Sequence, residues 1–537
     1  MTLMKRMTQM KRSLSTLAVL ASLVAAVSVA AVSLRSTRVL AATDGPVRIE
    51  PGLLEGVPGE DPLVRVFKGI PFGAPPVGAL RWKAPQPVAP WTGVRKADQF
   101  GPVCSQPARS GMGALLPTAP RLTPPSENCL YLNVWTTASS PDAKLPVMVY
   151  FPGGSFTTGG GSGLVFDGEA LAKKGVVLVT INYRLGVFGF FAHPDLTRES
   201  GHNASGNYAL LDQLEALRWV QKNIAAFGGD PQLVTIFGQS AGSASVLYHM
   251  ASPLSTGLFH RAIGESGGMN PTRPPPMPLA AAEQAGVTLA KSLGARSVAD
   301  LRVKSAADLM AASPSGTGPI IDGWVLREQL ADALRKHPHR DVPVLLGSNS
   351  EESNVLLRPL PAATHIERSK AVYGPLFDAY ISLYPAGSDE QAKTSQATAF
   401  DDQFAWGIWK WASLHAESPA STAYLYYFTR QPPADAPIPG AAHDAELYYV
   451  FHNLQLFKQS WADWDRQLEE IMSSYWVNFA KTGDPNGAGR PQWPAYTAQQ
   501  RDRVMVFGDT VAVGPSRLDQ VKVAFWEDAH TYAMKRQ

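Results

Sequence analysis

The sequence predicts an α/β protein with a mostly parallel central sheet, helices on both of its faces and helical insertions over its upper edge. Three observations carry this reading. Uninterrupted apolar β-type runs suit strands covered on both sides, helical patterns alternate with them, and a strand passes abruptly into a helix around Ser240.

Taken in chain order, the first residues read as an address rather than as fold. Lys5, Arg6, Lys11 and Arg12 precede an uncharged apolar run from Leu14 to Leu34. Two readings of residues 1–43 stand. One is a signal peptide, with cleavage contexts at Ser28-Val29-Ala30 and Val39-Leu40-Ala41. The other is an uncleaved N-terminal membrane anchor, since the run is long enough to span a bilayer. Either puts residues 44–537 outside the cytoplasm, secreted or periplasmic or anchored to the outer face. In an exported chain the isolated pair Cys104 and Cys129 is most simply a disulfide. Closing a loop of about 25 residues contributes roughly 3–4 kcal/mol in the chain-entropy picture.

Between Leu145 and Phe191, β-rich runs alternate with glycine-rich turns, giving buried strands over Val147–Phe151 and Val176–Ile181. From Asn207 to Phe227 the period changes: Leu210, Leu211, Leu214, Leu217, Trp219, Val220 and Ile224 form one broad helical face, and Gly228-Gly229 ends it. A strand over Leu233–Phe237, the turn at Ser240, a helix from Ala241 to about Met250 and a later strand over Val342–Leu346 complete the doubly wound order. Residues 280–334 and 366–414 are mostly helical in pattern and read as insertions shaping a substrate pocket. No repeat or linker divides the chain after residue 43, so one domain spans 44–537.

Composition excludes several classes. The 537 residues are 45% hydrophobic and 17% charged, which rules out disorder as the main state. A net charge of +3, without a basic block interleaved with aromatics, excludes a nucleic-acid footprint. There is no P-loop, dinucleotide fingerprint or H-E-x-x-H motif, and neither cysteine has metal-site spacing, so no cofactor and no metal are expected.

Ser240 lies in Gly238-Gln239-Ser240-Ala241-Gly242, between a strand and a helix. This context is a nucleophile elbow: the glycines let the chain reverse sharply, so the central hydroxyl is held exposed on strained backbone. Gly264-Glu265-Ser266-Gly267-Gly268 matches the same pattern, but Pro274-Pro275-Pro276 follows it where a helix is needed, and Ser266 reads as a tight turn near the site. A serine needs a base. Of the downstream histidines, His443 sits in the small-residue loop Pro439-Gly440-Ala441-Ala442-His443-Asp444 and is best placed. His249 falls on the elbow helix and His415 in a tryptophan-rich helix, both structural, while His337 and His339 among Arg335, Lys336 and Arg340 read as a solvated surface. The acid that orients the imidazole belongs on a loop after a strand, where Glu351 and Glu352 both qualify. Pro152-Gly153-Gly154-Ser155-Phe156, after the strand at 147–151, supplies N–H donors for an oxyanion, with Ala241 N–H as a further donor; Gly159-Gly160-Gly161 reads as a flexible loop.

Taken together, these residues resemble the type-B carboxylesterase/lipase family, the cholinesterase-like branch of the α/β-hydrolases. The resemblance extends over nearly the whole chain after the leader. It includes Phe67-Lys68-Gly69-Ile70-Pro71-Phe72-Gly73, Ser126-Glu127-Asn128-Cys129-Leu130-Tyr131-Leu132-Asn133-Val134-Trp135, Asn182-Tyr183-Arg184-Leu185-Gly186, Phe227-Gly228-Gly229-Asp230-Pro231 and Thr482-Gly483-Asp484-Pro485-Asn486. It implies an α/β-hydrolase fold and cleavage of carboxylic esters through an acyl-enzyme. Residue by residue it implies Ser240 as nucleophile, Glu352 rather than Glu351 as acid, His443 as base, a Cys104–Cys129 disulfide, and oxyanion donors at Gly154, Ser155 and Ala241. Two positions depart from the family pattern: Ser155 ends the glycine run, and Ser353 follows the acid where glycine is usual. Cholinesterases carry a tryptophan cation site between these cysteines. Here Met112, Leu115 and Leu116 occupy a segment without tryptophan, so neutral or moderately apolar esters are expected rather than quaternary ammonium esters. Two other functions exist within the fold: a lipase activated at interfaces, and a non-catalytic adhesion domain.

Overall fold

The computed structural model describes residues 45–108, 118, 124–272, 276–313, 318–336, 338–500 and 502–536. The leader at 1–43, His337 and the segment with Met112, Leu115 and Leu116 lie outside the described residues.

Eleven strands form the main sheet. They are β3 (Val57–Pro58), β4 (Arg65–Pro71), β6 (Tyr131–Thr136), β7 (Leu145–Phe151), β8 (Val177–Ile181), β9 (Gly229–Gln239), β10 (Arg261–Glu265), β11 (Val344–Asn349), β12 (Ala423–Phe428), β13 (Arg503–Phe507) and β14 (Val511–Pro515). Their spatial order is β14-β13-β12-β11-β10-β9-β7-β8-β6-β4-β3. Pairing is parallel from β8 through β13 and antiparallel at both margins. A small separate sheet joins β1 (Val47–Ile49), β2 (Gly52–Glu55) and β5 (Val94–Lys96). The antiparallel margins and the small sheet escape the sequence reading. Their strands are short or half-polar, as in the exposed Val94–Lys96, and lack the continuous apolar signal of the centre.

The central strands are buried on both faces, as their composition predicts. On β7, Val147, Val149 and Phe151 point into one core while Met148 and Tyr150 point into the other. Helix α1 (Tyr208–Asn223) covers the first core with Leu210, Leu214, Leu217 and Val220. Helix α4 (Asp463–Thr482) covers the second with Leu468, Met472, Tyr475, Trp476 and Phe479. Arg184 is locked onto α1: its Nε and Nη2 donate to Asp212 at 2.8 and 2.7 Å, and both side chains are buried.

The expected insertions are helical. Residues 280–334 carry helices at Leu279–Ser292, Val298–Arg302, Ala306–Ala312 and Leu330–Lys336, and the later insertion ends in the long helix α3 (Asp389–His415). Two expectations are corrected. His339 is not on a solvated surface but buried in a short 3-10 turn, its ring 4.5 Å from that of Phe259. Gly159, Gly160 and Gly161 are buried rather than loose; a Cβ on Gly159 would lie 2.3 Å from the Gly153 carbonyl oxygen. His249 and His415 are buried inside helices, as expected, with imidazole pKa values pushed down by burial to about 3 and about 4.

The sheet's connectivity prepares one site. β8 lies on one side of β7 and β9 on the other, so the chain reverses direction there and leaves the carboxyl ends of β7 and β9 side by side. Gly153-Gly154 follow the first and Ser240 follows the second.

Candidate active site

Ser240 has φ +59° and ψ −122°, a conformation that costs a non-glycine residue roughly 1–3 kcal/mol. The surroundings enforce it. Ser240 N donates to the Glu265 carbonyl at 2.8 Å, continuing the β9–β10 ladder past its last pair. Helix α2 (Ala241–Ala251) starts at the next residue, and a Cβ on Gly242 would lie 1.9 Å from the Phe151 carbonyl oxygen, so only glycine lets α2 begin against β7. The Ser240 side chain does not cap this helix. The first-turn N–H groups of α2, Ala241 included, have no intrahelical acceptor.

The β7 loop abuts the elbow. A Cβ on Gly153 would sit 3.1 Å from Ser240 Cβ and 2.6 Å from the Gln239 carbonyl oxygen. Beyond it Gly154 has φ +118° and the exposed Ser155 has φ +55°. The Gly154 carbonyl is engaged by the N–H groups of Thr157 and Thr158, both at 3.0 Å, which fixes the orientation of the peptide leading into Ser155.

Glu352 follows β11, and His443 lies on the loop after β12. Both are buried. The two loops pair where Glu351 N donates to the Ala441 carbonyl, 3.1 Å away. Glu352 Oε2 and His443 Nδ1 are 2.5 Å apart, and Glu352 Oε1 accepts from Asn349 N at 2.8 Å. Glu351 instead faces outward to Gln431 and Asn354. Burial of the imidazole lowers its pKa, but the charge and hydrogen bond of Glu352, with a smaller contribution from Asp444, outweigh this and raise it above the ordinary 6.5.

Ser240 is tied to this pair through its neighbour. Gln239 Nε2 donates to the His443 carbonyl at 2.6 Å, and Asn349 Nδ2 reaches the same carbonyl at 3.2 Å. His443 Nε2 is buried and makes no hydrogen bond here, so its bond to Ser240 Oγ is not closed. Gln239 and Asn349 were not singled out from sequence. Position within the elbow draws attention to Gln239, but only the fold reveals the carbonyl it serves.

Ser266 follows β10 with φ +50° and is fully buried, in keeping with a tight turn beside the site. Glu265, also buried, accepts from Trp476 Nε1 at 2.6 Å, and burial pushes its carboxyl up to about 8. Cys104 and Cys129 are joined as a disulfide. Among the described residues no group of three or more His, Cys, Asp or Glu side chains is arranged to hold a metal ion.

The chain as a whole has relatives among known proteins. The model of the Carboxylesterase family matches residues 38–526. The chain belongs to the carboxylesterase family. It is 39% identical over 498 residues to Fumonisin B1 esterase of Sphingopyxis macrogoltabida, with 89% of each chain covered. It is 34% identical to Carboxylesterase 1C of Mus musculus, covering 91% of this chain and 92% of that one. Among solved structures, a PNB esterase superposes with a TM-score of 0.75 at 31% identity over 88% of this chain and 98% of the other. A thermophilic PNB esterase gives 0.78 at 32% identity, over 90% and 100%. The protein is thus a carboxylic ester hydrolase of the α/β-hydrolase fold, and the serine mechanism follows from its family.

Proposed function

We propose that this carboxylesterase cleaves neutral or moderately apolar esters with Ser240 as nucleophile, His443 as general base and acid, and Glu352 as the acid that orients it. The observation carrying the reading is the 2.5 Å approach of Glu352 Oε2 to His443 Nδ1 beside a strained serine elbow. Nδ1–H donates to the carboxylate, which leaves the Nε2 lone pair for the serine proton. Ser240 Oγ then attacks the ester carbon, the N–H groups of Gly154, Ser155 and Ala241 hold the oxyanion, and Nε2–H protonates the departing alcohol. Water repeats the sequence on the acyl-enzyme and releases the acid. No step requires a cofactor.

Residues 44–537 form the single catalytic domain of this proposal, and 1–43 direct its export as a signal peptide or an anchor. Among the described residues no helix is long and apolar enough to cross a membrane, so anchoring would fall to the leader. Replacing Ser240 by Ala tests the chemistry. Burst release and turnover of a chromogenic ester should vanish while the thermal melt stays nearly unchanged; turnover retained by this variant refutes the assignment.

A further inference from the structure

We propose that Gln106 is a positioning residue for the oxyanion donors, and that the Cys104–Cys129 disulfide bears on turnover through it; this rests on the roles proposed above for Ser240, Gly154 and Ser155. Gln106 follows Cys104 by two residues and is buried. Its carboxamide pairs with both backbone groups of a single residue: Oε1 accepts from Gly159 N and Nε2 donates to the Gly159 carbonyl, each at 2.8 Å. Nε2 also donates to the Cys104 carbonyl at 3.0 Å, which ties the same amide to the disulfide. Asn182 makes a parallel link. Its Oδ1 accepts from Gly161 N at 2.9 Å while Nδ2 donates to the Pro102 and Cys129 carbonyls at 3.0 and 3.2 Å. The glycines at 159–161 therefore rest on the chain around the two cysteines.

Gly159 closes the turn that carries the donors. A Cβ on Gly154 would lie 2.1 Å from the Thr158 carbonyl oxygen, and one on Gly159 2.3 Å from the Gly153 carbonyl oxygen. The two ends of the turn are thus in direct backbone contact, and displacing Gly159 displaces Gly153 and Gly154 with it. The middle of the turn has its own anchor, where the Phe156 carbonyl accepts from Gly186 N at 2.7 Å. Oxyanion donors act because they are aimed before charge develops, and deleting one costs about 10²–10³ in rate. Releasing one of two anchors misaims donors without deleting them, so the loss expected is about tenfold. The loop between the cysteines meets the neighbour of His443 by a separate contact, in which Thr118 Oγ1 donates to Asp444 Oδ2 at 3.0 Å. A fault confined to Gln106 leaves the titration of the imidazole alone, whereas a general loosening of that loop would shift it as well.

Gln106→Met keeps the length and bulk of the side chain and removes its hydrogen bonds. On a chromogenic ester kcat should fall about tenfold with KM within about twofold. The affinity of an alkyl trifluoromethyl ketone, whose adduct with Ser240 sets a negative oxygen among the same N–H groups, should fall by the same factor. The acid-limb midpoint of kcat/KM should not move. Opening the disulfide, by reductant or by Cys104→Ser with Cys129→Ser, should lower kcat in the wild type but by less than about twofold in the Met variant, because both changes release the same anchor. If Gln106→Met does not fold by its thermal melt, Gln106→Asn, too short to reach both groups of Gly159 at once, makes the same comparison. The inference is overturned by a folded variant with unchanged kcat, by a fall in kcat without a matching loss of ketone affinity, or by a shifted acid limb. It is equally overturned if opening the disulfide leaves wild-type kcat unchanged or if the two losses multiply. Turnover or tight ketone binding that survives Ser240→Ala instead overturns the underlying roles and removes this inference with them.

Discussion

Glu352 and His443, 91 residues apart in the chain, meet through Oε2 and Nδ1 at 2.5 Å because the loops after β11 and β12 pair with each other. An amide in place of the carboxylate keeps the shape but loses the charge that stabilises the imidazolium, and it can turn its NH2 toward Nδ1 and select the wrong tautomer. Glu352→Gln should therefore lower kcat by about 10²–10⁴-fold with KM little changed. Steady-state kinetics on one chromogenic ester read this directly, and a loss confined to KM argues against the role.

In the proposed mechanism the same pair sets the acid limb. His443 acts as base only when neutral, and its pKa is raised above 6.5, so activity is full above that raised value and lost as pH falls through it. The midpoint of the kcat/KM profile should lie above 6.5. Asp444 contributes to the elevation, so Asp444→Asn should move the midpoint down, with Glu352 untouched. A midpoint at or below 6.5 contradicts the geometry.

Glu265 gives a stability signature independent of catalysis. Its carboxyl is raised from 4.5 to about 8 by burial, so between those values the unfolded chain releases a proton that the folded chain keeps. Its contribution to stability is full below pH 4.5 and is lost as pH rises to about 8. Glu265→Gln keeps an acceptor for Trp476 and removes the titration. The melting temperature of the variant relative to wild type should climb across that window and level off above it; a difference that does not vary with pH would exclude a buried neutral carboxyl.

Arg184 and Asp212 form the buried clamp between the loop after β8 and α1. Truncating Asp212 to Ala strands a guanidinium in the core, and breaking a buried pair from one side typically costs about 3–5 kcal/mol. Chemical denaturation should register a loss of that order. A change within about 0.5 kcal/mol would mean that the loop relaxes and the arginine reaches water.

The sheet centre and the elbow were legible because they rest on local signals. Val147–Phe151 and Val177–Ile181 are apolar at every position or nearly so, and the Ser240 turn carries its glycines within five residues. Residues that cooperate across the chain left no such trace. Glu351 and Glu352 are indistinguishable in pattern, and only resemblance singled out the second; in the fold one faces outward and the other meets the imidazole. His339 was misread because its charged neighbours suggested a surface, whereas the 3-10 turn buries the ring against Phe259. Gln239 and Asn349 bear on His443 through contacts with a partner 204 and 94 residues away, where neither periodicity nor motif reports them.

The most direct test of the central claim is covalent. A fluorophosphonate reacts with a serine activated by an imidazole and an oxyanion hole, and peptide mapping identifies the residue it labels. The structure predicts one adduct per chain, on Ser240, formed in step with loss of ester hydrolysis and absent in His443→Ala. Stoichiometric labelling of another serine, Ser266 included, with Ser240 unmodified and activity lost, would contradict it.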